Sequence, residues 1–451
     1  MGVSRLVKYA AWAVASAALA NASLQIVPGA TWTSPNTHAH IQAHGAGVIE
    51  VDGTYYLIGE DKTNGTYFQH VNCYSSTDLV QWKYVGPLLS ATSSSGDLGP
   101  ERIVERPKVI YNSSTKKFVL YMHIDSSSYG EAKVGVATGD SVCGTYEYLG
   151  SWQPLGYQSR DIGLFQDDDG SAYLLTEDRA NGLRIDSLTD DYLNVSAPVY
   201  LFSDMEAPAM VKLNGYYFMF ASHLSGWAAN DNEYSYATNL AGPWSSWQTF
   251  ATVGSDTYQS QTNYILPFPG NKTVMYMGDR WISTDLVAST YVWLPLTFSG
   301  TTVTMAEYTS WVPSVSADSW STAPSANSYY GVNATLSNGA VIVSCSGCHD
   351  NEAAGYIGGP SHGTATFTGI TATSSALSTV QIVYRNGDST ARYANVTVNG
   401  VTQLIEFLPS SSPGTSVINC NLKAGSNNEI VITTSDGTYG PDIGTLIVPQ
   451  Q

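Results

Sequence analysis

One layout recurs five times along this chain: a polar opening residue, an alternating apolar strand, a Gly/Asn/Asp turn, then a second strand rich in Tyr and Phe. The openings are Ala43-His44-Gly45 running to Tyr55-Tyr56, Glu105-Arg106-Pro107 to Phe118–Tyr121, Asp161-Ile162-Gly163 to Tyr173-Leu174-Leu175, Glu206-Ala207-Pro208 to Tyr216-Tyr217-Phe218, and Ser260-Gln261 to Val274-Met275-Tyr276. They stand roughly 45 to 60 residues apart, the length of one four-stranded propeller blade. A single such repeat cannot bury its apolar face alone, so the copies must pack on one another. The expected fold class is all-β: a five-bladed β-propeller followed by a β-sandwich (jelly-roll) module.

Turns at Asp52-Gly53, Asp169-Gly170 and Asn214-Gly215 suit tight hairpins, whose two central residues need positive φ. Outer strands are marked by 76–82, ending in Trp82, and by Leu240–Trp244. Apolar residues alternate or run in short blocks, so no long helix is expected. From residue 312 to 327 Ser, Ala and Pro dominate without periodicity, which reads as a linker or a surface-hugging connection. Short alternating strands then resume. The expected organisation is a signal peptide over 1–22, a catalytic propeller over 23–311, a linker over 312–327 and a sandwich over 328–451.

The signal peptide rests on Arg5 and Lys8 ahead of the apolar stretch Tyr9–Ala20, with small-residue cleavage sites at Ala18-Leu19-Ala20 or Ala20-Asn21-Ala22. That stretch is shorter than the ~20 residues that span a bilayer, so no membrane association is expected. A secreted, extracellular protein follows, and sequons at Asn64, Asn112, Asn194, Asn271, Asn333 and Asn395 agree with export. Of the five cysteines, Cys73 and Cys143 are expected to bridge, and two of Cys345, Cys348 and Cys420 to pair. A net charge of -18 would repel a phosphate backbone, so nucleic acid is excluded as a partner. A monomer acting on a polysaccharide is expected.

In a propeller the innermost strands converge on one axis, so Glu105, Asp161, Glu206 and Gln261 are gathered in a central funnel. Carboxylates that share a pocket raise one another's pKa, keeping one protonated while another stays ionised. Cleavage of a glycosidic bond needs such a pair. A lone acidic residue before Pro or Gly is more often a turn residue; recurrence at equivalent places in successive repeats favours the catalytic reading, most strongly for Glu206 and Asp161. Tyr129 and Trp227 are candidate sugar platforms, with Glu60 and Arg106 as further substrate-binding candidates. Trp32, Trp82, Trp244, Trp247 and Trp293 fall in packing contexts. His38, His40 and His44 have a spacing that suggests a metal site, but the set lacks a nearby carboxylate, so no metal is assigned.

The segments Val104–Lys108, Ser159–Gly163 with Phe165–Asp169, Glu206–Pro208, Gly226-Trp227 and Tyr276–Trp281 resemble glycoside hydrolase family 43, most closely its exo-β-1,3-galactanase branch. That resemblance implies that Glu206 is the general acid, that Asp161 tunes its pKa and orients it, and that configuration is inverted. The family's usual base, an Asp on the first blade, is missing: the strand reads Gln42-Ala43-His44-Gly45-Ala46-Gly47. Gln261 and Glu105 are the candidates for that part of the reaction, Gln261 to position the water and Glu105 to bind sugar. Xylosidase or arabinofuranosidase specificity, or a silent propeller lectin, are the rival readings. No cofactor is required for catalysis.

The C-terminal region resembles carbohydrate-binding module family 35 through Gly355–Gly359, Val383–Asn386, Val398–Gly400, Leu422–Asn427 and Tyr439–Asp442. The resemblance places binding residues at Tyr356, Arg385, Asn399, Tyr439 and Asp442. It also brings an expectation of structural calcium, although Gly331-Val332-Asn333-Ala334 stands where that family has an acidic strand start.

Overall fold

The computed structural model describes residues 23–450, and the expected signal peptide lies outside them. The chain is all-β. Five four-stranded antiparallel sheets follow one another over 44–90, 103–152, 162–201, 206–249 and 261–305, each with its strands in sequence order. Their first strands are His44–Val51, Ile103–Asn112, Ile162–Gln166, Glu206–Leu213 and Gln261–Pro267. Each lies beside the first strands of the sheets before and after it, and the last lies beside the first, so the five close a cycle.

Apolar faces meet between successive sheets. Leu57 of the first sheet packs in one cluster with Phe218 and Phe220 of the fourth and Trp293 of the fifth. Leu120 and Met122 face Val71 and Cys73, Leu164 and Leu174 face Val119 and Tyr121, and Met210 and Met219 face Phe165 and Ile185. Trp82 and Trp293 are fully buried, edge to face with ring centroids 5.9 Å apart, while Trp244 and Trp247 pack on Phe202. Asp52-Gly53 and Asn214-Gly215 have positive φ at both residues, as two-residue hairpins need. Asp169-Gly170 differs: only Gly170 is left-handed, and the Asp167 N–H reaches the Ser171 carbonyl across a three-residue loop.

Two more sheets enclose a separate apolar cluster that includes Phe367, Ile382, Val396, Phe407, Ile432 and Leu446. The first described segment enters one of them. Thr31–Trp32 pairs in parallel with Ser416 and Val417 of the strand Gly414–Leu422, and the His40 N–H donates to the buried Glu406 carboxylate. Residues 23–33 therefore complete the C-terminal sheet instead of belonging to the first unit alone.

The stretch read as a linker is also ordered. Trp311–Ser314 and Ser319–Thr322 form a hairpin, and Ala326–Tyr330 pairs with Asp442–Pro449. Its anchors are aromatic and polar: Trp320 packs on Tyr308 and Trp311, and the Asp318 carboxylate accepts the Lys272 and Thr273 N–H groups. Strands of four residues are too short to show alternation, which hid the hairpin in the sequence. Cys73 is bonded to Cys143 and Cys345 to Cys348, leaving Cys420 free and buried. No helix among the described residues is long and apolar enough to cross a membrane.

Candidate active site

In four of the sheets a polar residue stands at or just inside the start of the first strand, opposite one at or near the end of the second. His44 is paired with Glu60, Glu105 with His123, Glu206 with Ser222 and Gln261 with Asp279. In the third sheet Asp161 and Glu177 flank the pair Ile162–Thr176, and the Glu177 N–H donates to the Asp161 carbonyl. The cycle of strands thus brings two sets of polar groups to one end. There a cavity of about 230 Å³ is lined by all eight residues singled out for this region: Glu60, Glu105, Arg106, Tyr129, Asp161, Glu206, Trp227 and Gln261. His123, Arg160, Glu177, Arg179, Gly226 and Trp281 complete it.

A local irregularity aims the openers inward. The register slips after His44, Glu105 and Glu206, and the next residue is left-handed each time: Gly45 at φ 56°, Arg106 at 52° and Ala207 at 56°. A bulge bends its strand and re-aims the adjacent side chain. A non-glycine residue held at positive φ costs about 1–3 kcal/mol and persists only where its surroundings fix it. Arg106 and Ala207 are fixed by the site itself. The Ala207 N–H donates to Asp161 Oδ2 at 3.0 Å. Arg106 Nε meets the same oxygen at 2.9 Å, its Nη2 reaches Gln261 Oε1 at 2.6 Å, and its Nη1 reaches Asn263 Oδ1 at 2.9 Å and the Thr262 carbonyl at 3.0 Å. Arg106 therefore spends its guanidinium on the protein and organises three sheets around the cavity.

Glu206 receives the Ser225 N–H at 3.2 Å and Gln261 Nε2 at 3.1 Å on Oε1, with Arg179 3.5 Å from Oε2. Burial first, then the negative charges of Asp161 and Glu177, push its carboxyl up to about 8. Glu177 is likewise raised by burial and by Asp161. Across the cavity the balance is reversed. Burial would raise the Glu105 carboxyl, but Lys62, His123 and Tyr129 outweigh it and hold it at about 2. The Tyr129 hydroxyl donates to it at 2.8 Å, and Lys62 and His123 lie 3.5 and 3.4 Å away. One carboxyl protonated at neutral pH and one firmly ionised thus face the same space.

Gln261 departs from its expected part. Its Nε2 donates to Glu206 and Ser222, both at 3.1 Å, and its Oε1 accepts from Arg106 and from the Trp281 indole at 3.0 Å. Those four bonds exhaust a primary amide, so in this arrangement it holds Glu206 and Trp281 and has no position left for water. Trp227 stands edge to face with Trp281 at 4.9 Å, and Lys62 lies 5.3 Å from the Trp227 ring centre. Sequence reasoning missed Glu177, His123 and Trp281. The recurrence of a polar residue at or near the end of every second strand was the signal for the first two.

The three histidines do not form one cluster: His38 is exposed, while His40 and His44 lie with ring centroids 6.4 Å apart, His40 is pushed down to about 4 by burial and then by His44, and His44 has a carboxylate neighbour after all in Asp279, at 3.2 Å. Among the described residues the acidic group compact enough for a cation is Asp161, Glu177 and Glu206, inside the cavity. In the C-terminal module Gly331, Val332 and Asn333, standing where the resemblance has an acidic strand start, form a tight turn without a carboxylate side chain. In that module the exposed rings of Tyr356 and Tyr439 meet edge to face at 5.9 Å, and Arg385 pairs with Asp442 at the same end. Asn399 is placed apart from them: it turns the chain at the far end of Arg392–Val398, where its amide bonds Asn428.

Residues 41–293 match the family model for glycosyl hydrolases family 43, and residues 364–448 match one described as an alpha-galactosidase CBM13 domain. The second match agrees in kind with a carbohydrate-binding module, under another family label than the sequence resemblance. Among solved structures, an exo-β-1,3-galactanase from Phanerochaete chrysosporium with galactose is 40% identical, over 94% of this chain and 100% of that one, with a TM-score of 0.67. An exo-β-1,3-galactanase from Clostridium thermocellum is 25% identical over 94% of this chain and 100% of that one, with a TM-score of 0.62. A curated xylan 1,3-β-xylosidase from a Vibrio species is 25% identical over 191 residues, 38% of this chain, and the match spans only 34% of that relative's length. With more than half of its 451 residues under one family model and a relative at 40% identity that it covers in full, the chain belongs to glycosyl hydrolases family 43.

Proposed function

We propose that this protein is a secreted, monomeric exo-β-1,3-galactanase that releases galactose from β-1,3-galactan with inversion. In this reading the five sheets are the blades of a β-propeller and the two C-terminal sheets a jelly-roll sandwich that holds carbohydrate through Tyr356, Arg385, Tyr439 and Asp442. The observation that carries the reading is the buried Glu206 carboxyl facing a cavity lined by Asp161, Glu177, Trp227 and Trp281, where burial and its acidic neighbours push it up to about 8. Its proton passes to the glycosidic oxygen as the C1–O bond breaks, while water adds to C1 from the other face and gives its proton up to solvent water. Asp161 keeps that proton in place through its charge, held by Arg106 and by the Ala207 N–H. Glu105, at about 2, is a weak proton acceptor near neutrality and suits binding of sugar hydroxyls. Gln261 serves through Glu206, which it grips directly.

Two relatives named as exo-β-1,3-galactanases, aligned over 94% of the chain, support the substrate. The cavity, at about 230 Å³, is smaller than the ~300–1,000 Å³ of drug-sized ligand sites, as suits one terminal ring at a time. Export is supported by the basic and apolar N-terminal segment and by the two bonded cysteine pairs. The test is incubation with β-1,3-galactan, arabinan and xylan, beside Glu206→Gln. Galactose from galactan alone is expected, with turnover lowered roughly 10²–10⁴-fold in the variant. Binding without release by the wild type would instead favour a lectin.

A further inference from the structure

Asp125 does not line the cavity, yet three residues that do are tied to it. It is fully buried at the end of the strand Lys117–Asp125. Its Oδ2 meets His123 Nε2 at 3.0 Å, Arg160 Nη1 at 3.3 Å and the Ala132 N–H at 3.0 Å, and its Oδ1 accepts the Ser126 N–H at 2.8 Å and the Glu131 N–H at 2.7 Å. Five donors thus converge on one carboxylate, three of them from the two ends of the loop 126–132. That loop carries Tyr129, and it is not relaxed: Tyr129 and Ala132 both have left-handed backbones, at φ 54° and 46°. Such residues persist where something outside them fixes the chain; N–H groups at both ends of this loop donate to Asp125, while the Ala132 and Glu131 carbonyls accept from the Ser159 N–H and from Gln153.

Through these contacts the geometry points to Asp125 as a positioning residue that sets Tyr129, His123 and Arg160 as one wall of the sugar site. The assignment rests on the proposed reading of the cavity as that site. Asp125 has no contact with Glu206, so it acts on how the sugar is held and not on the proton that is delivered. An amide in its place keeps the shape but turns two hydrogens toward groups that are themselves donors, which releases the wall without emptying the core.

Hydrogen exchange on the full chain and steady-state kinetics test this together. In the wild type the amides of Ser126, Glu131 and Ala132 are expected to exchange at least about tenfold slower than free-peptide rates. In Asp125→Asn they are expected to lose that protection while Lys133–Gly139 keeps its own. On whichever of β-1,3-galactan, arabinan and xylan the wild type cleaves, KM is expected to rise about tenfold with kcat changed less than about threefold, the pattern of lost uniform binding. Retained protection in a folded Asp125→Asn, or a released loop with KM unchanged, overturns the assignment. Should the variant not fold, free-peptide exchange at the three wild-type amides overturns it. A wild type that cleaves none of the polymers strikes at the proposed function instead, and the exchange measurement still decides the role of Asp125.

Discussion

A carboxyl keeps its proton near neutrality when it is stripped of water and set beside like charge, and Glu206 meets both conditions. The value of about 8 comes from burial first and then from Asp161 and Glu177. The acid form is the one the proposed chemistry uses, so kcat/KM should fall as pH rises through that value. Asp161→Asn removes a neighbouring negative charge that raises this pKa, so the alkaline limb of the pH–rate profile should move to lower pH. Glu177→Gln should move it in the same direction without touching the bonds from Arg106 and Ala207. An alkaline limb that stays fixed in both variants would deny Glu206 its part. The acid was legible in the sequence because it opens a repeat. Its neighbours were less so, since Glu177 lies near the end of a second strand and its meaning appears only when that strand folds back beside Asp161.

At the scale of strands, the bulge is what turns a sheet edge into a site. A repeat opening on Glu, one other residue and Pro was visible at Glu105 and Glu206, but the left-handed turn inside it was not, because Arg106 and Ala207 are not residues that favour positive φ. Ala207 is fully buried, and its N–H holds Asp161. Ala207→Val would place a branched side chain where neither the backbone nor the packing accepts it, at a cost of about 2 kcal/mol or more. The denaturation midpoint should drop accordingly, and turnover should fall with it as Asp161 loses a partner. A midpoint equal to that of the wild type would mean that the bulge is not under constraint. Elements longer than about six residues announced themselves by alternation, whereas the hairpin around Asp318 is held by Trp320 and by bonds to a distant turn, which leave no local pattern.

The division into a first unit and a C-terminal module, drawn from composition, describes the cores but not the chain path. The C-terminal sheets have an apolar cluster of their own, yet Trp32 and Val417, whose backbones pair across the two units, both pack in a cluster of the first unit. Glu406 is raised by burial and accepts the His40 N–H from the other side of the boundary. Calorimetry of the full chain should therefore show one cooperative unfolding transition; two well-separated transitions would mean that the units unfold independently. The parallel pairing of Thr31–Trp32 with Ser416–Val417 also bears on synthesis. A ribosome delivers the chain from its amino end, and domains commonly fold as they emerge. Here the first described segment can dock on Tyr291 and Trp311 early, but its pairing edge stays open until Ser416 and Val417 have been made.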